Sequence, residues 1–325
     1  MATALITGIA GQDGSYLAEW LLARGWDVHG TVHAPPRNLW RLEGLTDRLR
    51  LHPLDLEDAE AVHGLVASVW PDACWHLTGI RTPSPDPASE IRQCAGNVRT
   101  TQLLLQALQA QRPEARFVFA ASSEIFGTSA PAPQSEVTPP APETLYAIAK
   151  TAGLHLVQHY RRDRGLKACA AILFNHESPR RGEEFVTRKI TLAAARIRMG
   201  LQSELRLGDL QAMRDWGHAR SYAQAMGAMG LMDAPEDLVL ATGVLHTLEA
   251  FVSAAFAALD LDWRQYVRED PSIPRPSRGG VLRGDPSRAW TVLGWRDPVP
   301  FESLARDMAE ADLARLQSLA NERQA

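Results

Sequence analysis

A glycine-spaced turn at the first junction between a buried strand and a helix constrains this chain more than any other feature. Ala4 to Thr7 is an apolar run of strand length. Gly8-Ile9-Ala10-Gly11-Gln12-Asp13-Gly14 follows, and Leu17, Trp20, Leu21 and Arg24 then recur at helical spacing up to a stop at Gly25. Glycine here lets the backbone turn sharply and come close to a pyrophosphate, whose charge the N-terminus of the following helix favours. The string alone is weak in a chain with 23 glycines, since any tight strand-to-helix turn can use it. Its place at the first such junction favours a dinucleotide.

The alternation continues. Strands are expected at 27–32, 49–55, 73–78, 117–122 and 167–174, with a helix over 57–70, a long helix ending near Gln111 and a helix carrying Tyr146 and Lys150. Strands separated by helices of this length imply right-handed crossovers and a parallel, doubly wound α/β sheet, with ligands at the carboxyl ends of its strands. After about Asn175 the alternation breaks into segments rich in Arg, Gly and Pro. The expected division is a dinucleotide-binding domain over 1–175 and a smaller, mainly substrate-binding lobe over 176–325, with some segments returning to the main sheet. Arg275 to Gly280 reads as a loop, followed by a short helix around 286–293.

Composition sets limits on partners. A net charge of −4 gives no broad basic field for nucleic acid. Cys74, Cys94 and Cys169 are far apart and form neither a disulfide framework nor a metal site. No apolar run approaches a membrane span, and the N-terminus lacks a signal-peptide pattern, so the cytoplasm is the expected compartment. Only Lys150, Lys167 and Lys189 are lysines among 34 basic residues, which draws attention to each.

Tyr146 and Lys150 form Tyr-x-x-x-Lys, a spacing that puts both side chains on one helical face. With five tyrosines and three lysines it arises by chance in roughly one such chain in twenty. The ammonium would lower the phenol's pKa and hold a ribose. The tyrosinate would then take a proton from a sugar hydroxyl as the carbon gives up hydride. Ser122 and Glu124 end the strand upstream, at the same sheet edge. Ser122 would donate to the reacting oxygen. Glu124 could serve as base for a C5 proton and acid for a leaving C6 hydroxyl, against the simpler reading of a turn-capping carboxylate. The second strand ends in Val32-His33-Ala34-Pro35-Pro36-Arg37 without an acid for the adenosine ribose. Arg37 or Arg41 could instead neutralise a 2′-phosphate, which favours NADP and leaves NAD open. Asp55 and Leu56 are placed to meet the adenine.

At these residues the chain resembles the extended short-chain dehydrogenases of Rossmann type, and among them the GDP-mannose 4,6-dehydratases. The matching segments are 4–18, 121–127 and the Tyr146/Lys150 pair. More specific are Ile172-Leu-Phe-Asn-His-Glu-Ser-Pro-Arg-Arg-Gly182, Phe185-Val-Thr-Arg-Lys-Ile190 and Arg214-Asp-Trp-Gly-His-Ala219. The resemblance implies a lyase that oxidises C4 of a sugar nucleotide, eliminates water across C5 and C6, and returns hydride to C6. Carried over by position, Ser122, Glu124, Tyr146 and Lys150 are catalytic. Gly8, Gly11, Gln12, Asp13, Gly14, Arg37, Asp55, Leu56, Leu77, His176 and Arg181 join Tyr146 and Lys150 around the cofactor. Asn175, Arg188, Lys189, Arg214 and Arg275 face the substrate. Solvated surface charge is the competing reading for Arg180, Arg181, Arg188 and Arg214. A homodimer is implied, with a tetramer left open.

Four segments depart from the family pattern: the shortened loop at 33–36, Thr78-Gly79-Ile80 where Ala-Gln-Ser is usual, Ser122 for a threonine, and Arg278 for a glutamate. A related sugar or base stays open on these grounds. So do a 4-epimerase or 4-keto reductase and, with less support, a cofactor sensor without turnover.

Overall fold

The computed structural model describes residues 1–36, 39–79, 86–128, 130–273 and 281–322; Arg37, Arg275 and the segments 80–85 and 274–280 lie outside them. The first half contains β1 (Thr3–Thr7), α1 (Gln12–Leu22), β2 (Asp27–Val32), β3 (Leu49–Pro53), α2 (Ala59–Val69), β4 (Ala73–His76), α3 (Pro87–Gln111), β5 (Arg116–Ser122), α4 (Leu145–Arg164) and β6 (Lys167–Leu173). The second half adds β7 (Asn175–Glu177), α5 (Val186–Arg198), β8 (Leu205–Leu207), β9 (Met213–His218), α6 (Ala219–Met229), β10 (Leu238–Leu240), β11 (Leu245–Thr247), α7 (Leu248–Ala257), β12 (Val267–Glu269), α8 (Ser287–Leu293) and α9 (Phe301–Glu322).

Seven parallel strands form one sheet in the order β10-β6-β5-β4-β1-β2-β3. The chain winds outward from β1 through β2 and β3, then resumes on the other side at β4, so the topological switch point lies between β1 and β4. The side-chain alternation of a strand divides the core in two. Ala4 and Ile6 pack with Leu17, Leu21, Tyr222 and Met226 of α1 and α6. Leu5 faces the other way, onto Val62, Val66, Leu104 and Leu108 of α2 and α3. Strands buried on both faces explain the near-continuous apolar runs in the sequence.

The expected strands at 49–55 and 73–78 both end two residues early, at Pro53 and His76. β10 comes from the second half yet pairs with β6, and α6 packs on α1. The remainder of the second half has its own apolar cluster. In it Phe251, Phe256, Leu304 and Met308 of α7 and α9 pack on Ile190 and Ala194 of α5. Asp215 on β9 joins these parts. Buried, it accepts from the backbone N–H groups of Thr242, Gly243 and Gly284 and from the Thr242 hydroxyl, at 2.5–3.2 Å. Among the described residues no helix is long and apolar enough to cross a membrane.

Two buried histidines make the fold acid-sensitive. Burial pushes the pKa of His76 down to about 3, and burial with the nearby Arg220 charge pushes His218 down to about 4. His76 sits between the Thr7 and Thr101 hydroxyls at 2.7 and 3.1 Å. Both groups are depressed bases, neutral in the folded chain and ordinary in the unfolded one. Their contribution is therefore whole above about pH 6.5 and shrinks as pH falls. At pH 5 each costs roughly 2 kcal/mol relative to pH 7. Urea midpoints measured at the two pH values should show this loss, and His76→Asn should remove about half of it. A flat pH response in the wild-type chain would contradict the assignment.

Candidate active site

The crevice at the switch point is a cleft of about 600 Å³. Its floor is the glycine turn. Gly8 holds φ +74°, and a Cβ on Gly14 would lie 2.4 Å from the Gly8 carbonyl oxygen and 2.7 Å from Ile9 Cα. The turn is thus bare backbone at the N-terminus of α1. A pyrophosphate fits the chemistry of such a cradle of close-packed backbone at a helix N-terminus.

Opposite the turn stand the residues that end β5 and begin α4. Thr144 caps α4, its hydroxyl accepting from Ala147 N–H at 3.1 Å, which fixes the first turn and with it Tyr146. Ser122 ends β5 and accepts from Glu124 N–H at 3.3 Å. The 3-10 turn at Ser123–Phe126 then closes on Gly127 at φ +62°, where any Cβ would sit 2.2 Å from the Ala141 carbonyl oxygen. That tight reversal puts Glu124 on the cleft wall. Ser122, Glu124, Tyr146 and Lys150 line the cleft together with Gly8, Gly11, Gln12, Asp13, Gly14, Leu77, Asn175, His176 and Arg181.

Lys150 is the most constrained of them. It is 4% exposed, donates to the Ala120 carbonyl at 2.7 Å and lies 5.7 Å from the Tyr146 ring centre. Burial lowers its pKa to about 8, with Asp13 pulling the other way. A lysine so depressed is charged in both states at pH 7, and the folded chain carries the penalty. Lys150→Met is expected to stabilise the ligand-free protein by up to roughly 3 kcal/mol at pH 7. The gain should fade as pH rises from 8 toward 10.5. A melting temperature unchanged or lowered by the substitution would show that the ammonium is not under strain.

On the other side of the turn, His176 bonds Asp13 at 3.0 Å through Nε2 and the Phe174 carbonyl at 2.7 Å through Nδ1. An acceptor on each nitrogen favours the protonated ring. Burial alone would lower its pKa, but the charge and hydrogen bond of Asp13 hold it above the ordinary histidine value. The same pairing holds the Asp13 carboxyl below its usual range, against the effect of burial. Arg181 stacks on Phe185 at 3.4 Å, and its Nε lies 3.1 Å from the buried Glu177 carboxylate, which leaves the end of its fork for the cleft.

Other expected site residues lie elsewhere. Arg188 is 2% exposed, pairs with Asp312 at 2.6 Å and donates to the carbonyls of Pro179 and Arg181. Its guanidinium is committed to the interior and is not part of the cleft lining. Asp55 accepts from Glu57 N–H at 2.9 Å and, with Leu56, lies outside the cleft lining. Lys189 is exposed on α5 and Arg214 lies on β9, neither in the lining. Arg41 and His33 do line it, along with Gly79, Glu184 and Phe185. Gly79 and Phe185 stand in segments that the sequence singles out without a site role, and nothing in the sequence marks Glu184. For Phe185, its i+4 relation to Arg181 and to Lys189 was the available signal.

A cleft that pairs a dinucleotide cradle with a phenol, an ammonium and a carboxyl group at the carboxyl edge of a parallel sheet is the arrangement of the extended short-chain dehydrogenases. A sequence profile described as GDP-mannose 4,6 dehydratase matches residues 5–308. GDP-mannose 4,6 dehydratase 2 of Arabidopsis thaliana is 42% identical over 95% of this chain and 86% of that protein. GDP-mannose 4,6-dehydratase of Yersinia enterocolitica is 37% identical over 96% of this chain and 94% of that protein. Among solved structures, UDP-glucose 4-epimerase of Thermus thermophilus, in complex with NAD, superimposes with a TM-score of 0.81 at 25% identity, covering 95% of this chain and 98% of that one. The chain belongs to the GDP-mannose 4,6-dehydratase family.

Proposed function

We propose that this protein is a hydro-lyase converting GDP-mannose to its 4-keto-6-deoxy product, with NADP as a resident cofactor. The observation that carries the reading is that Glu124 shares one cleft with Tyr146, Lys150 and the glycine turn. Proton transfer at C4 needs only the phenol, whereas elimination across C5 and C6 needs a second acid–base group. A 4-epimerase has no use for a carboxyl group there.

NADP in the cradle would accept hydride from C4 and return it to C6. The residues do the rest. Ser122 donates to the C4 oxygen, and Tyr146, its phenolate favoured by the neighbouring ammonium, takes the C4 hydroxyl proton. Glu124 removes the C5 proton and delivers it to the C6 hydroxyl as it departs, so that one water leaves across C5 and C6. When hydride has returned to C6, the proton held by Tyr146 goes to C5 and the phenolate is restored. Lys150 and the Asp13–His176 pair orient the nicotinamide half, and Arg181 supplies charge to the phosphates. Arg41 on the cleft rim and the absence of an acid after β2 favour the 2′-phosphate form. Asn175, Lys189 and Arg214 are assigned to the nucleotide diphosphate, and Arg275, outside the described residues, belongs with them by position. A homodimer is the proposed assembly, supported by apolar Ile91 of α3 and Leu145 and Ile148 of α4, all exposed on two helices that pack together. The three free cysteines suit a cytoplasmic setting.

The test is incubation of the purified protein with GDP-mannose and no added reductant. The keto-deoxy nucleotide should accumulate with no net change in cofactor oxidation state. No product from GDP-mannose, with epimerisation or NADPH-dependent reduction of another sugar nucleotide, would replace this reading.

A further inference from the structure

Arg180 and Arg181 are neighbours with opposite fates. Arg181 lines the cleft, whereas Arg180 turns onto the outer side of α1. There it donates to the Ser15 hydroxyl at 3.1 Å, pairs with the Glu19 carboxylate and lies 4.1 Å over the Tyr16 ring. Its backbone is fastened as well. Arg41 Nε donates to the Arg180 carbonyl at 2.6 Å, and Arg180 N–H donates to the Ser178 hydroxyl at 3.1 Å. Ser178 in turn donates to Gln12 Oε1 at 2.8 Å, and Gln12 Nε2 donates to the His176 carbonyl at 3.1 Å. Apart from the Arg180–Ser178 bond, which is internal to it, these ties join the segment 176–182 to the glycine turn, the first two turns of α1 or the rim residue Arg41.

We infer that Arg180 is a positioning residue, the latch that holds the wall carrying His176 and Arg181 against the glycine turn and so keeps the dinucleotide from leaving. The inference rests on the cofactor reading above and extends it to retention. A reaction that takes hydride from C4 and returns it to C6 of the same sugar needs a cofactor that stays through the cycle. A strap across the pyrophosphate cradle supplies that residence without touching the reacting atoms. Arg180 and Glu19 are partly exposed, so their ion pair alone contributes little to global stability. Its effect is expected in the opening of the strap, a local motion.

The experiment reads dissociation of NADPH by its fluorescence after a chase with excess NADP, in the wild-type chain and in Arg180→Ala, Glu19→Gln and Arg180→Lys. Arg180→Ala and Glu19→Gln should release the dinucleotide roughly 5- to 100-fold faster. Arg180→Lys should recover part of the loss, and the apo unfolding midpoint should stay at the wild-type value throughout. Wild-type release rates in Arg180→Ala and Glu19→Gln overturn the latch. So does faster release that merely tracks a lowered apo midpoint, since that is a structural effect. No sugar enters this measurement, so either failure leaves the dehydratase reading standing. A wild-type chain that binds neither NADP nor NAD overturns that reading and the latch with it.

Discussion

Tyr146→Phe is expected to bind dinucleotide and sugar nucleotide as the wild-type chain does while its turnover falls by roughly 10²- to 10⁴-fold. The phenol lies on the first turn of α4, capped by Thr144, and phenylalanine keeps the ring and the helix. What is lost is the acid–base group at C4, so the deficit should appear in kcat with the binding constants preserved. Glu124→Gln divides the reaction differently. Oxidation at C4 should persist, seen as transient reduction of the bound cofactor, while solvent deuterium exchange at C5 collapses. Unchanged turnover in the first variant or normal exchange in the second removes that residue from the chemistry.

The second large effect is on stability. Asp312→Ala should destabilise the protein by about 3–5 kcal/mol, because it strands the Arg188 guanidinium in an interior where both side chains are no more than 2% exposed. The carboxylate also accepts from the Thr191 hydroxyl at 2.6 Å, and burial raises its pKa even with Arg188 beside it. Removing one partner is costly; removing both is a different case. Arg188→Met with Asp312→Leu is expected to recover much of the loss, since a desolvated ion pair returns little beyond what an apolar pair of similar volume supplies. Urea unfolding of the single and double variants measures this. A single-variant loss below about 1 kcal/mol would mean that water reaches the site. Through its bonds to the Pro179 and Arg181 carbonyls, Arg188 also braces the strap beside the cofactor cleft from below.

The parts of this site that were legible in the sequence are those where chemistry demands a residue type at a fixed local spacing. Gly8, Gly11 and Gly14 are such a set, because backbone must approach both phosphate and backbone; Tyr146 and Lys150 are another, because one helical face must carry both. Six strands of the sheet were legible because burial on both faces leaves apolar runs; the three-residue β10 is too short to stand out. The Asp13–His176 pair was not, since its partners stand 163 residues apart and meet only when β7 reaches the glycine turn. Nor does the sequence distinguish three arginines of one segment that end in three environments: Arg180 on α1, Arg181 in the cleft and Arg188 in the interior. Composition gives all three the same meaning, and packing separates them: Arg180 against Glu19 of α1, Arg181 beside Phe185 and Glu177, and Arg188 against Asp312 of α9. Nor does the sequence announce that the Asp55 carboxylate, at the end of β3, accepts from the Glu57 N–H of the next turn.

Transfer of label within one sugar separates an internal hydride cycle from every other reaction of this cleft. The purified protein, with no added cofactor, is given GDP-mannose deuterated at C4, and the product is analysed by NMR. Deuterium is expected at C6 of a 4-keto-6-deoxy sugar, carried there by a dinucleotide that never leaves. Product with deuterium absent from C6, or sugar that returns with only its C4 configuration changed, would contradict the cycle.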